Sequence, residues 1–110
     1  SFRALSGRLF KCGEWAHEYE LFDSDDLWSE HAYLLAGDNG RTFVWIGQDF
    51  EGCDFEDDES CQLFAQQAAA DHRRFEGAGT SGRGAPVPGV LKFEREYEED
   101  EEFWDYFAWG

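Results

Sequence analysis

The stretch HAYLLAGDNGRTFVWIG, residues 31–47, decides the fold. Its two halves, 31–36 and 41–47, are short and almost unbroken apolar runs. Between them stands Gly37-Asp38-Asn39-Gly40, and an Asn-Gly pair accepts positive φ at both central positions of a tight turn. The segment therefore reads as a β-hairpin. A strand with one wet face alternates apolar and polar residues; these two do not. Both faces of their sheet are expected to be covered, and helices are the covering that this pattern calls for. Phe43 and Trp45 are expected in the core.

Outward from the hairpin, the rest of the chain supplies the other layers. Residues 7–12 (GRLFKC) read as a short strand, Gly13 as a turn, and 15–21 (WAHEYEL) as a second strand with Trp15, His17, Tyr19 and Leu21 on one face. Residues 22–28 (FDSDDLW) suit a single helical turn with Asp23 or Ser24 as its N-cap. A polar, acidic loop over 48–58 leads into a helix over about 57–75. There Cys61, Phe64, Ala65, Ala68, His72 and Phe75 form an amphipathic stripe. Acids at its start and Arg73-Arg74 at its end both suit the helix dipole. Residues 76–89 hold five glycines and both prolines and read as a linker. A further strand is expected over 90–96 and a short acidic helix over 99–109, with Phe103, Tyr106 and Phe107 on one side.

Composition narrows the function. The 110 residues make one domain, and 42% hydrophobic with 18% aromatic residues is ample for one core. The net charge is −16, and 22 of the 25 acids fall in three clusters, 14–30, 49–59 and 94–105. A surface of that sign is repelled by nucleic acid and by anionic bilayers, so neither partner is expected. No apolar run approaches the roughly 20 residues of a membrane-spanning helix. Cys12, Cys53 and Cys61 are an odd number without framework spacing, so reduced thiols and a cytoplasmic setting are expected. Cys53, Cys61 and His72 lack the paired spacing of a zinc site. The chain opens on Ser rather than Met, as a domain cut from a longer chain would. No P-loop, dinucleotide fingerprint or nucleophile elbow is present, and no enzymatic activity is expected.

Several segments together resemble the gelsolin repeat. They are Leu27-Trp28-Ser29-Glu30-His31-Ala32-Tyr33-Leu34-Leu35, the Gly-Asp-Asn-Gly turn, and Thr42-Phe43-Val44-Trp45-Ile46-Gly47. Arg8-Leu9-Phe10 is similar to the family's opening strand, and Asp57-Asp58-Glu59-Ser60 to the start of its long helix. Glu102-Phe103-Trp104-Asp105-Tyr106-Phe107-Ala108-Trp109 is similar to its closing aromatic helix. The resemblance implies an α+β, gelsolin-like domain: a central mixed β-sheet of about five strands between one long helix and one short helix. It implies actin as partner, calcium as regulator, and capping, severing or sequestering of actin at the cytoskeleton. The alternative that the family offers is a structural module that serves other domains of a larger parent protein and has lost actin and calcium.

The family's internal calcium site uses an Asp where this chain has His31, and a Glu early in the long helix. Imidazole is a poor ligand for Ca²⁺. Glu30 stands next to it, and the helix ligand is Glu59 by the Asp-Glu-Ser string or Asp57 by the apolar phase. A second family site, shared with actin, falls at Asp71 when Glu59 is the anchor. The resemblance places the actin-contacting positions at Ala65, Ala68, Ala69 and His72, with Arg73-Arg74 and Lys11 as candidate basic residues.

Overall fold

A computed structural model describes residues 7–19, 22–38, 40–78 and 90–107 of the chain. In chain order the elements are β1 (Gly7–Lys11), β2 (Glu18–Tyr19), a 3-10 turn (Ser24–Asp26), β3 (Ala32–Gly37), β4 (Arg41–Ile46), α1 (Asp58–Ala78), β5 (Val90–Arg95) and α2 (Glu101–Trp104). The strands form one five-stranded sheet in the order β2-β1-β3-β4-β5. Only β4–β5 is parallel, so the sheet is mixed as expected. The hairpin is present: β3 and β4 pair antiparallel with Tyr33 opposite Trp45, Leu34 opposite Val44 and Leu35 opposite Phe43. Asn39 lies outside the described residues, and Gly40 takes φ 89°, which a side chain would strain.

Successive strand residues point to opposite faces, and each face has its own core. One holds Leu9, Tyr33, Leu35, Phe43 and Trp45, capped by Phe22, Phe103, Tyr106 and Phe107. The other holds Phe10, Leu34, Val44 and Ile46, against Cys61, Ala65, Ala68 and Ala69 of α1. The first is aromatic and filled by rings in edge contact, such as Phe43 with Phe103 and Tyr106. The second sets Phe10 and medium aliphatic strand residues against small helix residues, which lets the helix lie close to the strands.

Several element boundaries differ from the sequence reading. The helix α1 runs to Ala78, so Glu76–Ala78 belong to it rather than to the linker; residues 79–89 lie outside the described set. The second strand starts at Glu18 rather than Trp15 because the backbone turns twice before it, with Glu14 N–H donating to Lys11 C=O and His17 N–H to Glu14 C=O; Glu20 and Leu21 lie outside the described residues. Those turns break the period-two face. Trp15 packs on the α1 side beside Phe10, while Tyr19 packs on the other side against Tyr33. The closing helix is one turn, 101–104, and a further turn buries Tyr106 and Phe107; Ala108 and Trp109 lie outside the described residues. Among the described residues no helix is long and apolar enough to cross a membrane.

Glu94 is the one buried charged residue among those described, 2% exposed on β5. One carboxylate oxygen accepts the Asp100 N–H at 2.7 Å and so ties the strand to the start of α2. The other has no hydrogen-bond partner, although Lys92 Nζ stands 3.9 Å away. Burial pushes the Glu94 carboxyl up to about 7; Lys92 opposes this, and Glu99 and Glu102 add to it. The folded protein thus keeps a proton that the unfolded chain has already released between the ordinary value of 4.5 and about 7. This group's contribution to stability falls as pH rises through that window.

Two measurements check the packing. Trp45→Ala should cost about 3–5 kcal/mol in chemical denaturation, since it empties the centre of the aromatic core. Glu94→Gln should stabilise the domain at pH 8, by on the order of 2–3 kcal/mol, and leave it little changed at pH 4. A variant whose stability tracks the wild type in parallel from pH 4 to 8 would contradict the role given to Glu94.

Candidate functional site on the outer face of the long helix

The helix starts where it does because Asp57 caps it. The Asp57 carboxylate accepts the Ser60 N–H at 3.0 Å, and its carbonyl accepts the Cys61 N–H at 3.0 Å. Ser60 Oγ in turn accepts the Asp54 N–H at 3.0 Å, which folds the acidic loop over the first turn. Arg95, on β5, ties the same turn to the sheet through the Asp58 carboxylate and the Phe55 carbonyl, the latter at 2.8 Å.

From this start the helical period sorts the side chains. Cys61, Ala65, Ala68 and Ala69 are buried at 0, 0, 5 and 4% exposure against the sheet. The opposite stripe, Glu59, Leu63, Gln66, Ala70 and Arg74, is exposed, with Arg73 beside it. Leu63 is 56% exposed, a large apolar side chain left in water. It lines a shallow depression of about 510 Å³ with Asp58, Glu59, Gln62, Gln66 and Phe93 of β5. A smaller cleft of about 200 Å³ lies on the other flank, between Cys12, Gly13, Trp15, Phe50 and the helix residues Phe64, Gln67, Ala68 and Asp71.

The sequence matches no protein-family model and no curated protein. The structure does match solved ones. It aligns with the Thorarchaeota protein 2DGel3, solved in complex with rabbit actin, at a TM-score of 0.53 and 19% identity, over 98% of this chain and 48% of that one. It aligns with Thorarchaeota ProGel, also solved in complex with rabbit actin, at a TM-score of 0.51 and 13% identity, over 90% of this chain and 96% of that one. The fold is gelsolin-like. The chain spans about half the length of 2DGel3 and nearly all of ProGel.

Within the gelsolin-like fold, the residues expected to meet a partner sort into two groups. Ala65, Ala68 and Ala69 are corrected: they form the seat of α1 on the sheet and have no surface to offer. The apolar stripe read from the sequence marks the core from Cys61 to Ala68, whereas Phe75 at its end is 44% exposed, and the buried positions cannot also face outward. His72 goes with them. Its ring lies 4.6 Å from Phe10 and 5.3 Å from Trp15, its side chain is 12% exposed, and its Nε2 has no hydrogen-bond partner. Burial lowers its pKa, with Glu76 opposing and Arg8 adding to the shift. Arg73 is exposed on the flank of the outer stripe and remains available. Leu63, Gln66 and Ala70 lie on the exposed side of the helix and are not singled out by the sequence reading. Counting four, three and four residues on from Glu59 along the side opposite Cys61 would have found them.

The four acids expected at two calcium sites, Glu30 with Glu59 or Asp57 at one and Asp71 at the other, take the following places. Asp57 is the helix cap, Asp71 pairs with Arg74, Glu59 is exposed in the first turn, and Glu30 is exposed in the loop before β3. Glu59 and Asp71 are twelve positions apart on one helix, about 18 Å at 1.5 Å per residue. His31 has its ring stacked with Trp28 at 6.4 Å and set edge-on to Tyr33 at 6.4 Å. Among the described residues no three His, Cys, Asp or Glu side chains converge so as to hold a metal ion.

Asp57→Ala should destabilise the domain by about 1 kcal/mol, equally with and without added calcium, and Asp57→Asn should restore most of the loss. Denaturation curves in calcium and in chelator read this directly. A loss confined to the calcium samples would make Asp57 a ligand instead of a cap.

Proposed function

We propose that this domain binds actin through the outer face of α1, with Leu63 as the apolar anchor. The observation that carries the reading is Leu63 itself, 56% exposed at a depression also lined by Phe93, on the long helix of a fold of which two neighbours were solved with actin. Gln66 and Ala70 extend the contact along the helix, and Arg73 and Arg74 supply positive charge at its far end. Those arginines matter because the domain carries −16 overall and actin is itself acidic. One such face per domain suits sequestering a monomer or capping a filament end, and sets the domain's place at the cytoskeleton. In this reading calcium acts, if added, through Glu59, the one carboxylate of the four that is both exposed and in the first turn of the binding helix.

The second reading is a gelsolin-fold module that mediates assembly inside a larger protein. It is favoured by the small size of the remaining outer-face residues, since Leu63 stands without a second large apolar side chain among Glu59, Gln66, Ala70 and Arg74.

Assembly of pyrene-labelled actin separates the two. The wild-type domain should slow or cap assembly at tens of micromolar. Leu63→Asp should weaken that effect by about tenfold or more, because burying a leucine contributes about 1.5–3 kcal/mol, and it should leave the melting temperature unchanged. Repeating the series in chelator and with Glu59→Gln tests the calcium step. A wild-type domain without effect on assembly leaves the module reading in its place.

A further inference from the structure

A second surface lies at one end of the sheet, where three loops meet. The strand register places Ala32, Ile46 and Arg95 side by side, so the loops before β3, after β4 and after β5 leave the sheet together. They are joined by a dense set of hydrogen bonds. Gly47 N–H donates to His31 C=O at 3.0 Å, Asp49 N–H to Ser29 C=O at 2.9 Å, and Glu96 N–H to Ile46 C=O at 3.0 Å. Ser29 Oγ and the Gln48 N–H both donate to the Glu96 carboxylate at 2.8 Å. A Cβ at Gly47 would run into the Ser29 and His31 carbonyls, so only glycine permits this approach.

This rigid platform presents two aromatic side chains to water. Trp28, next to Ser29, is 61% exposed, and Tyr97, next to Glu96, is 77% exposed. Tyr97 is the one non-glycine with positive φ among the described residues, at 74°. The exposed carboxylates Glu30, Asp49, Glu51 and Glu98 lie on the same three loops. Residues 22–38 and 42–58 contain no Lys or Arg. Arg95, the nearest cation in sequence, is turned back to the Phe55 carbonyl, Asp58 and the Phe93 ring. The platform therefore combines aromatic surface in water, with the His31 ring stacked on one side of Trp28, a rim of negative charge, and no Lys or Arg from its own loops to neutralise it.

We propose that this end of the sheet is a docking site for a lysine- and arginine-rich segment of another protein, with basic side chains lying over Trp28 and Tyr97 and pairing with the carboxylates around them. Cations are attracted to ring faces, most strongly to Trp and Tyr, and opposite charge on the rim steers such a segment in. The hydrogen-bonded loops hold the surface in place before binding, so little order is lost on docking. The site uses none of the outer face of α1 and is independent of the actin reading.

The test must separate this contact from the diffuse attraction of any polycation to a chain of charge −16. The probe is a short peptide of alternating lysine and glycine, titrated into the purified domain at about 0.15 M salt, with tryptophan emission and calorimetry as readouts. Trp28→Ala and Tyr97→Gly leave the net charge unchanged. Each should weaken binding by about fivefold, and the double variant by more than tenfold. Tyr97→Gly also relieves the positive φ, so its melting temperature should not fall, which keeps folding out of the result. Glu14→Gln with Glu18→Gln, which removes two charges at the opposite edge of the sheet, should change affinity by less than twofold. Aromatic variants that bind the peptide as tightly as the wild type would overturn the proposal. So would a concentration-dependent dimer, seen in sedimentation, that Trp28→Ala abolishes, because the patch would then belong to a second copy of the domain.

Discussion

The pairing of β3 with β4 is the constraint from which the rest of the structure follows. Both strands are apolar on both sides, so the pair cannot sit at a wet surface. One register sends Tyr33, Leu35, Phe43 and Trp45 to one face and Leu34, Val44 and Ile46 to the other. A slip by one residue would exchange the faces and set rings against the alanines of α1. The two coverings are correspondingly unlike. The aromatic face takes short, ring-rich segments around Phe22 and α2, whereas the aliphatic face takes a long helix with Cys61 and three alanines at the contact. Ring edges fill one layer; close approach of a smooth helix fills the other.

The large negative charge is built into this architecture and does not merely coat it. Glu99 accepts the Trp45 indole N–H at 2.8 Å, which satisfies the one polar atom of the central core ring. Arg8 joins β1 to Glu18 of β2 and to Glu76 near the end of α1. Arg41 pairs with Glu102, Lys92 with Asp100, and Arg95 with Asp58. These four basic residues each bind an acid from a different element, so positive charge is spent on holding layers together. Among the described residues, what remains is an acidic surface with Lys11, paired to its near neighbour Glu14, and two arginines, Arg73 and Arg74, near the far end of the long helix. Arg74 is itself paired with Asp71.

The layers were legible in the sequence because the signal for them is local. Unbroken apolar runs, a Gly-rich turn and a 3.6-residue stripe each follow from a few neighbouring side chains, and strand order aside, they fixed the class of fold. The site was less legible. The resemblance puts partner contacts at Ala65, Ala68 and Ala69, but helical phase sets Ala65 and Ala68 on the apolar stripe and Ala69 beside it, all facing the sheet. Asp57 enters the sequence reading only as the alternative to Glu59 for the helix ligand, and the hydrogen bond it accepts from the Ser60 N–H makes it the cap. Trp28 and Tyr97 carried no pattern at all. Their importance comes from loops brought together by the pairing of β3, β4 and β5, which no window along the chain contains.

The parallel strand β5 has a consequence for how the domain is made. Its partner β4 ends at Ile46 and it begins at Val90, so the ladder closes only after the whole of 47–89 has been gathered in. Hairpin β3–β4 needs no such gathering and can nucleate on its own turn. Loop-closure entropy thus orders the events: the central hairpin early, the edge strand and the aromatic tail behind it late. Until that last step the faces of Val44 and Trp45 beside the empty edge stand open, and a nascent chain at this stage is at its most vulnerable to pairing with a stranger.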